Sequence, residues 1–150
     1  MTEFRRKVLP HQPPWSVDPS AHAFFITICA KDRRNAPLLP MASGLIDAIR
    51  FYHAEGIWWT HLAVVMPDHV HLILSFPPDR VFRTSLAKWK HWTAHNHGVD
   101  WQRDFFDHRL RREESFNEKA DYVLQNPVRA GLVSEWESWP HRWCPSWEEE

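Results

Sequence analysis

"VVMPDHVHLIL", residues 64–74, is an apolar run broken at Pro67-Asp68 and resumed with two histidines one residue apart. Side chains alternate across a strand, so His69 and His71 share one face while Val70 points to the other. The flanking runs, "IWWTHLAVVM" (57–66) and "HVHLILSF" (69–76), are rich in β-branched and aromatic residues. With Pro-Asp between them they read as two antiparallel strands joined by a tight turn. Two imidazoles on one face can share a metal ion, or can be half-buried polar groups with hydrogen-bond partners. The pair alone leaves both readings open.

Working outward, "HAFFITICAK" (22–31) reads as a buried strand. From Met41 to Glu55, Leu45, Ile49 and Tyr52 recur at helical spacing, and Gly56 stands where a C-terminal cap belongs. Residues 80–97 predict a second helix with an apolar stripe of Phe82, Leu86 and Trp89. "WQRDFFDHRLRR" (101–112) fits either a short strand or an irregular loop. A third helix is predicted from Ser115 through Tyr122 to Asn126, where Pro127 disfavours helical geometry in the residue before it. This order of elements predicts an α+β fold: a ferredoxin-like antiparallel sheet with helices packed on one face and the His-Val-His segment on a central strand. Residues 1–20 are expected to form a proline-rich N-terminal arm, 21–140 a single domain, and 141–150 an acidic C-terminal tail.

Composition bounds the function. With 150 residues, 43% of them hydrophobic, the chain suffices for one packed core. Cys29 and Cys144 are far apart and outside any CxxC pattern, which argues against a disulfide framework or zinc finger and fits a reducing cytoplasm. No apolar run approaches the roughly 18 residues of a membrane span, and the start lacks the apolar core of a signal peptide. The net charge is −1, against the basic footprint usual for nucleic-acid binders, but its distribution is uneven. Weighing Lys and Arg against Asp and Glu, residues 1–34 carry +3, 35–79 carry −3, 80–112 carry +5 and 113–150 carry −6. The basic central block is compatible with an anion-binding face or with an ordinary solvated helix surface.

"DYVLQNPVRAGLV" (121–133) supplies two further polar groups, Tyr122 and Asn126, four residues apart and so on one helical face. Read alone, Tyr122 packs its ring on the sheet and Asn126 caps the helix. Taken together, "VVMPDHVHLIL" and "WQRDFFDHRLRREESFNEKADYVLQNPVRAGLV" strongly resemble the single-tyrosine HUH transposases, in particular the REP-associated tyrosine transposases. The resemblance runs from about Pro10 to Trp139.

The resemblance implies roles. His69 and His71 would bind a divalent metal, Asn126 would complete the site, Tyr122 would be the nucleophile, and Val70 would anchor the strand in the core. Imidazoles by themselves suit zinc, copper, iron or nickel, whereas the resemblance implies Mg2+ or Mn2+. A phosphodiester repels nucleophiles until its charge is neutralised, and a phenol must lose its proton to attack well. Such attack would leave a covalent 5′-phosphotyrosine and a free 3′-hydroxyl. Asp68 reads as a turn residue beside Pro67 in preference to a group orienting a histidine.

The implied partner is single-stranded or hairpin DNA in the cytoplasm, engaged by a monomer, with a homodimer as the alternative. Candidate phosphate contacts are Arg5, Arg6 and Lys7 of the arm, Lys88, Lys90, Arg109, Arg111 and Arg112. Of the tryptophans considered for base stacking, Trp89, Trp92 and Trp101, Trp92 is the chosen candidate. The short acidic C terminus departs from relatives with longer tails. Two other functions compete: a non-catalytic DNA or RNA hairpin-binding module, and a metal phosphodiesterase that uses water.

Overall fold

Strand β1 (Ala23–Cys29), helix α1 (Ala42–Ala54), strands β2 (Trp59–Val65) and β3 (His69–Ser75), helix α2 (Phe82–His97) and strand β4 (Phe106–Leu110) follow one another in the computed structural model. Helix α3 (Glu113–Leu124), the short helix α4 (Asn126–Arg129) and strand β5 (Arg142–Trp143) complete the chain. The structure describes residues 23–111 and 113–148. The expected N-terminal arm, with Arg5, Arg6 and Lys7, and the candidate Arg112 lie outside the described residues.

The sheet has the order β4-β1-β3-β2-β5, with every pairing antiparallel. Its first four strands have the ferredoxin-like arrangement expected from the sequence, and β3 sits in the middle, paired along its whole length with β1 and over residues 70–75 with β2, whose register shifts between Thr60 and Leu62. Alternation along β3 divides its side chains cleanly. Val70, Leu72 and Leu74 pack into a core with Leu45 and Ile49 of α1 and Leu86 and Trp89 of α2, whereas Ile73 packs with Phe116, Ala120 and Val123 of α3. The expected one-sided arrangement therefore holds for α1 and α2, and α3 covers the opposite face. His69 and His71 have the parity of Ile73, so they face the α3 side.

The turn between β2 and β3 is closed by the Met66 N–H donating to the His69 carbonyl at 2.8 Å. Neither Pro67 nor Asp68 has a positive φ, so this is not one of the primed turns that usually join two strands. Outside bonds brace it instead: the Leu38 N–H donates to the Pro67 carbonyl and the Ala30 N–H to the Asp68 carbonyl, each at 2.9 Å.

Helix α1 ends as its glycine forecast. Gly56 has φ +71°, and the N–H groups of Gly56 and Ile57 cap the carbonyls of His53 and Tyr52. The third helix is interrupted rather than continuous. It stops at Leu124, and Pro127, which has no N–H to donate, sits in the first turn of α4.

Residues 141–148 correct the expectation of a tail. Trp143 pairs with Ala63 as part of β5, Trp143 and Cys144 are buried, and Arg50 of α1 reaches Glu148 at 2.6 Å. Burial of the indole fixes the segment against the sheet.

Candidate functional site

The side chains of His69 and His71 meet at their far ends, with Nε2 to Nε2 at 3.1 Å. Each ring is held through its other nitrogen. His69 Nδ1 lies 2.7 Å from Asp68 Oδ1, and His71 Nδ1 lies 3.0 Å from Thr27 Oγ1. Thr27 can do this because β1 and β3 pair in a register that sets Thr27 against His71 and Cys29 against His69. Asp68 is itself fixed by Arg33, whose Nε donates to Oδ2 at 2.9 Å. Arg33 Nη2 also lies 3.5 Å from His69 Nδ1, but the guanidinium can only donate, so we assign the ring N–H to the much nearer carboxylate. Asp68 therefore does more than form the turn, which corrects the reading made from the sequence. It sets the tautomer that leaves Nε2 of His69 with a free lone pair.

Electrostatics keep both rings neutral near neutral pH. Burial pushes His71 down to about 3, helped by His69, Arg129 and Lys119. Burial likewise lowers His69, and it outweighs the opposing pull of Asp68. Burial acts to raise the Asp68 carboxyl, but its hydrogen bonds to Arg33 and His69 prevail and hold it below the usual carboxylate range.

Asn126 completes the cluster from α4, its Nδ2 3.3 Å from His69 Nε2. Rotation of an amide exchanges its nitrogen and oxygen ends, so the same side chain can present an acceptor there. Tyr122 comes from α3. Its ring centroid stands 6.4 Å from that of His71 and 6.5 Å from that of Phe25, and it is 47% exposed. Two cations lie over the same ring, Arg129 Cζ at 4.0 Å and Lys119 Nζ at 5.0 Å from its centroid.

These residues suit a divalent ion. Two nitrogens about 2.1 Å from one ion and at right angles to each other stand about 3.0 Å apart, close to the observed Nε2 separation. Without a proton or a cation between them, two lone pairs aimed at each other across that gap would repel. Among the described residues no three His, Cys, Asp or Glu side chains converge, so the donor set is two imidazoles and an amide. The structure thus brings together all four residues singled out from the two sequence motifs, His69, His71, Asn126 and Tyr122.

It does not bring the other candidates there. Lys88 and Trp92 are exposed on α2, across the sheet from the imidazoles. Arg109 is exposed on β4 in register with Phe24, which stacks on Phe82 of α2, so it too belongs to that far side. Arg111 is exposed just beyond β4. Lys90 serves the fold, its ammonium donating to the carbonyls of Gln102, Arg103 and Asp104 at 2.7, 2.9 and 3.3 Å. A phosphate would have to displace these bonds. Trp89 and Trp101 are core residues, and the Trp101 indole donates to Thr93 Oγ1 at 2.9 Å.

The cations that adjoin the site among the described residues, Arg33, Lys119 and Arg129, are not marked out by the sequence. Two of them lie in the most acidic quarter of the chain, where a charge count points away from an anion site. Thr27 was detectable only through the β1–β3 register.

No family model matches the chain. The REP-associated tyrosine transposase of Escherichia coli strain K12 is 28% identical over 120 residues, spanning 78% of this chain and 73% of its own length. A solved structure of a REP-associated tyrosine transposase bound to a REP hairpin superposes with a TM-score of 0.73 at 27% identity, covering 81% of this chain and 76% of that one.

Proposed function

We propose that this homologue of the REP-associated tyrosine transposases cleaves and rejoins single-stranded DNA through Tyr122. The observation that carries the reading is the convergence, within one chain, of two neutral imidazoles, an amide and a phenol. His69, His71 and Asn126 would hold Mg2+ or Mn2+. Such an ion, when bound, would neutralise non-bridging phosphate oxygens and make phosphorus more electrophilic.

The remaining work falls to the chain. Asp68 and Thr27 hold the imidazoles with their lone pairs convergent. Helix α3 holds the Tyr122 ring half-exposed beside His71, where a strand can reach it. Attack forms a bond between the phenol oxygen and phosphorus and breaks the bond to the 3′ oxygen, which takes up a proton and leaves as a hydroxyl. The phosphotyrosine conserves the energy of the linkage, so a second 3′-hydroxyl can reverse the step without a nucleotide cofactor.

The hairpin held by the structural neighbour supports hairpin DNA as the partner. The meeting of phenol and imidazoles in one chain supports a monomer acting in cis. No helix among the described residues is long and apolar enough to cross a membrane, and the lack of a disulfide at Cys29 and Cys144 fits the cytoplasm as the site of action.

Single-stranded oligonucleotides copied from the DNA flanking the gene test the proposal. With Mn2+ they are expected to become attached to the protein, seen as a slower band on a denaturing gel, and Tyr122→Phe should abolish the band. Tight, chelator-insensitive hairpin binding without an adduct would favour the non-catalytic module. Cleavage that survives Tyr122→Phe would favour attack by water.

A further inference from the structure

Among the described residues, Lys119 and Arg129 are the two cations that lie over the Tyr122 ring, and the proposed reaction gives them no role. Lys119 lies on α3 one turn before Tyr122, its ammonium 4.7 Å from the centroid of the Phe25 ring and 5.0 Å from that of Tyr122. Arg129 comes from the end of α4, where one guanidinium nitrogen donates to the Tyr122 carbonyl at 2.6 Å while its Cζ stands 4.0 Å from the ring centroid. Among the described residues neither side chain forms an ion pair with a carboxylate, unlike Arg33, Arg34, Arg50 and Arg83, which do. The Phe25 and Tyr122 rings stand 5.3 and 6.4 Å from the His71 ring, centroid to centroid, which places both charges close to the imidazole pair.

Two cations with no carboxylate partner among the described residues, gathered on one half-exposed aromatic ring, leave strong donors available to an incoming anion. We propose that Lys119 and Arg129 form an anion clamp that grips a DNA phosphate beside the Tyr122 ring, at the mouth of the imidazole pair. This rests on the reading of the site as one that handles single-stranded DNA, and it names the protein groups that hold the strand there. The guanidinium is suited to a fork of two bonds to phosphate oxygens, and the ammonium to a point contact. Tethering by the Tyr122 carbonyl fixes the guanidinium in advance, which lowers the entropy lost on gripping the anion.

The test reads binding separately from chemistry. In a Tyr122→Phe background, which removes attack but keeps the ring, affinity for an oligothymidylate strand is measured against salt with Mn2+ present. Each phosphate contact to a single strand contributes about 0.7 to the slope of log affinity against log salt. The Lys119→Gln/Arg129→Gln double variant, which loses that one contact, is expected to lower the slope by about 0.7 and each single variant by part of it, while Lys119→Arg and Arg129→Lys retain it. An unchanged slope in the double variant overturns the clamp, even if adduct formation by the Tyr122 protein slows, because that pattern assigns the cations to positioning the phenol. If the slope falls while the Tyr122 protein never forms an adduct, the clamp stands and the transesterase reading fails.

Discussion

Replacing Asp68 with alanine removes the carboxylate that receives the His69 Nδ1 proton at 2.7 Å and in turn accepts from Arg33 at 2.9 Å. The backbone of the turn should survive, because its braces run through the Pro67 and Asp68 carbonyls. What changes is the imidazole. Once nothing selects the Nδ1–H tautomer or orients the ring, part of the population carries its proton on Nε2, the nitrogen facing His71. Loss of such a partner typically costs 10- to 100-fold in metal affinity, about 1.4–2.7 kcal/mol. Asp68→Asn keeps an acceptor oxygen but no charge and should fall between wild type and alanine. Arg33→Ala leaves the carboxylate in place and should cost less than either. Titration of Mn2+ followed by electron paramagnetic resonance reads this directly, in the absence of DNA, with circular dichroism as the control for folding. If Asp68→Ala binds Mn2+ as tightly as wild type while His69→Ala does not, the carboxylate has no hold on the ligand and the reasoning fails.

Buried His61, pushed down to about 3 chiefly by burial, provides a stability prediction. Its folded state resists the proton that the unfolded chain accepts from about pH 6.5 downward, so stability is full above that value and declines as pH falls toward 3. Between pH 7 and 5 this one group should cost about 2 kcal/mol, and urea melts should show His61→Gln losing less than wild type over that interval. A Lys90→Met variant, which leaves the carbonyls of Gln102, Arg103 and Asp104 without their shared donor, should be less stable by about 1–3 kcal/mol with DNA affinity little changed. Trp143→Ala should cost about 3–5 kcal/mol in the same melts, whereas deletion of a true tail would cost almost nothing. Chelation should abolish the covalent adduct, and added Mn2+ should restore it.

The parts of the fold legible in the sequence were those whose side chains alternate or recur with clear contrast. On β3, Val70, Leu72 and Leu74 face one core and the two histidines the other side, and that parity can be counted from the letters alone. Strand β4 gave no such contrast: "FDHRL" is an edge strand whose Phe106 and His108 are exposed, so only Leu110 shows burial. Strand β5 is two residues long, too short for any period, and its place depends on Trp143 finding Ala63 across the sheet. The break at Gln125 was half visible, since Pro127 announced an end to the helix but not that a new turn would begin at once and carry Asn126. Within the site, the donors and the phenol were legible because two short motifs hold them. The cations were not, because charge counted along the chain says little about charge gathered in space: Arg83 answers Asp107, and Lys90 answers three carbonyls, while Arg33, Lys119 and Arg129 converge from distant segments.

The placement of His69 and His71 on the middle strand divides the chemistry between two mechanical supports. Shifting the imidazoles would mean tearing hydrogen bonds from two neighbouring strands at once, so that half behaves as an anvil. On the proposed function, whatever yielding admits a folded strand of nucleic acid, or lets a spent one go, falls to the hammer: the α3–α4 segment that bears Tyr122 and Asn126.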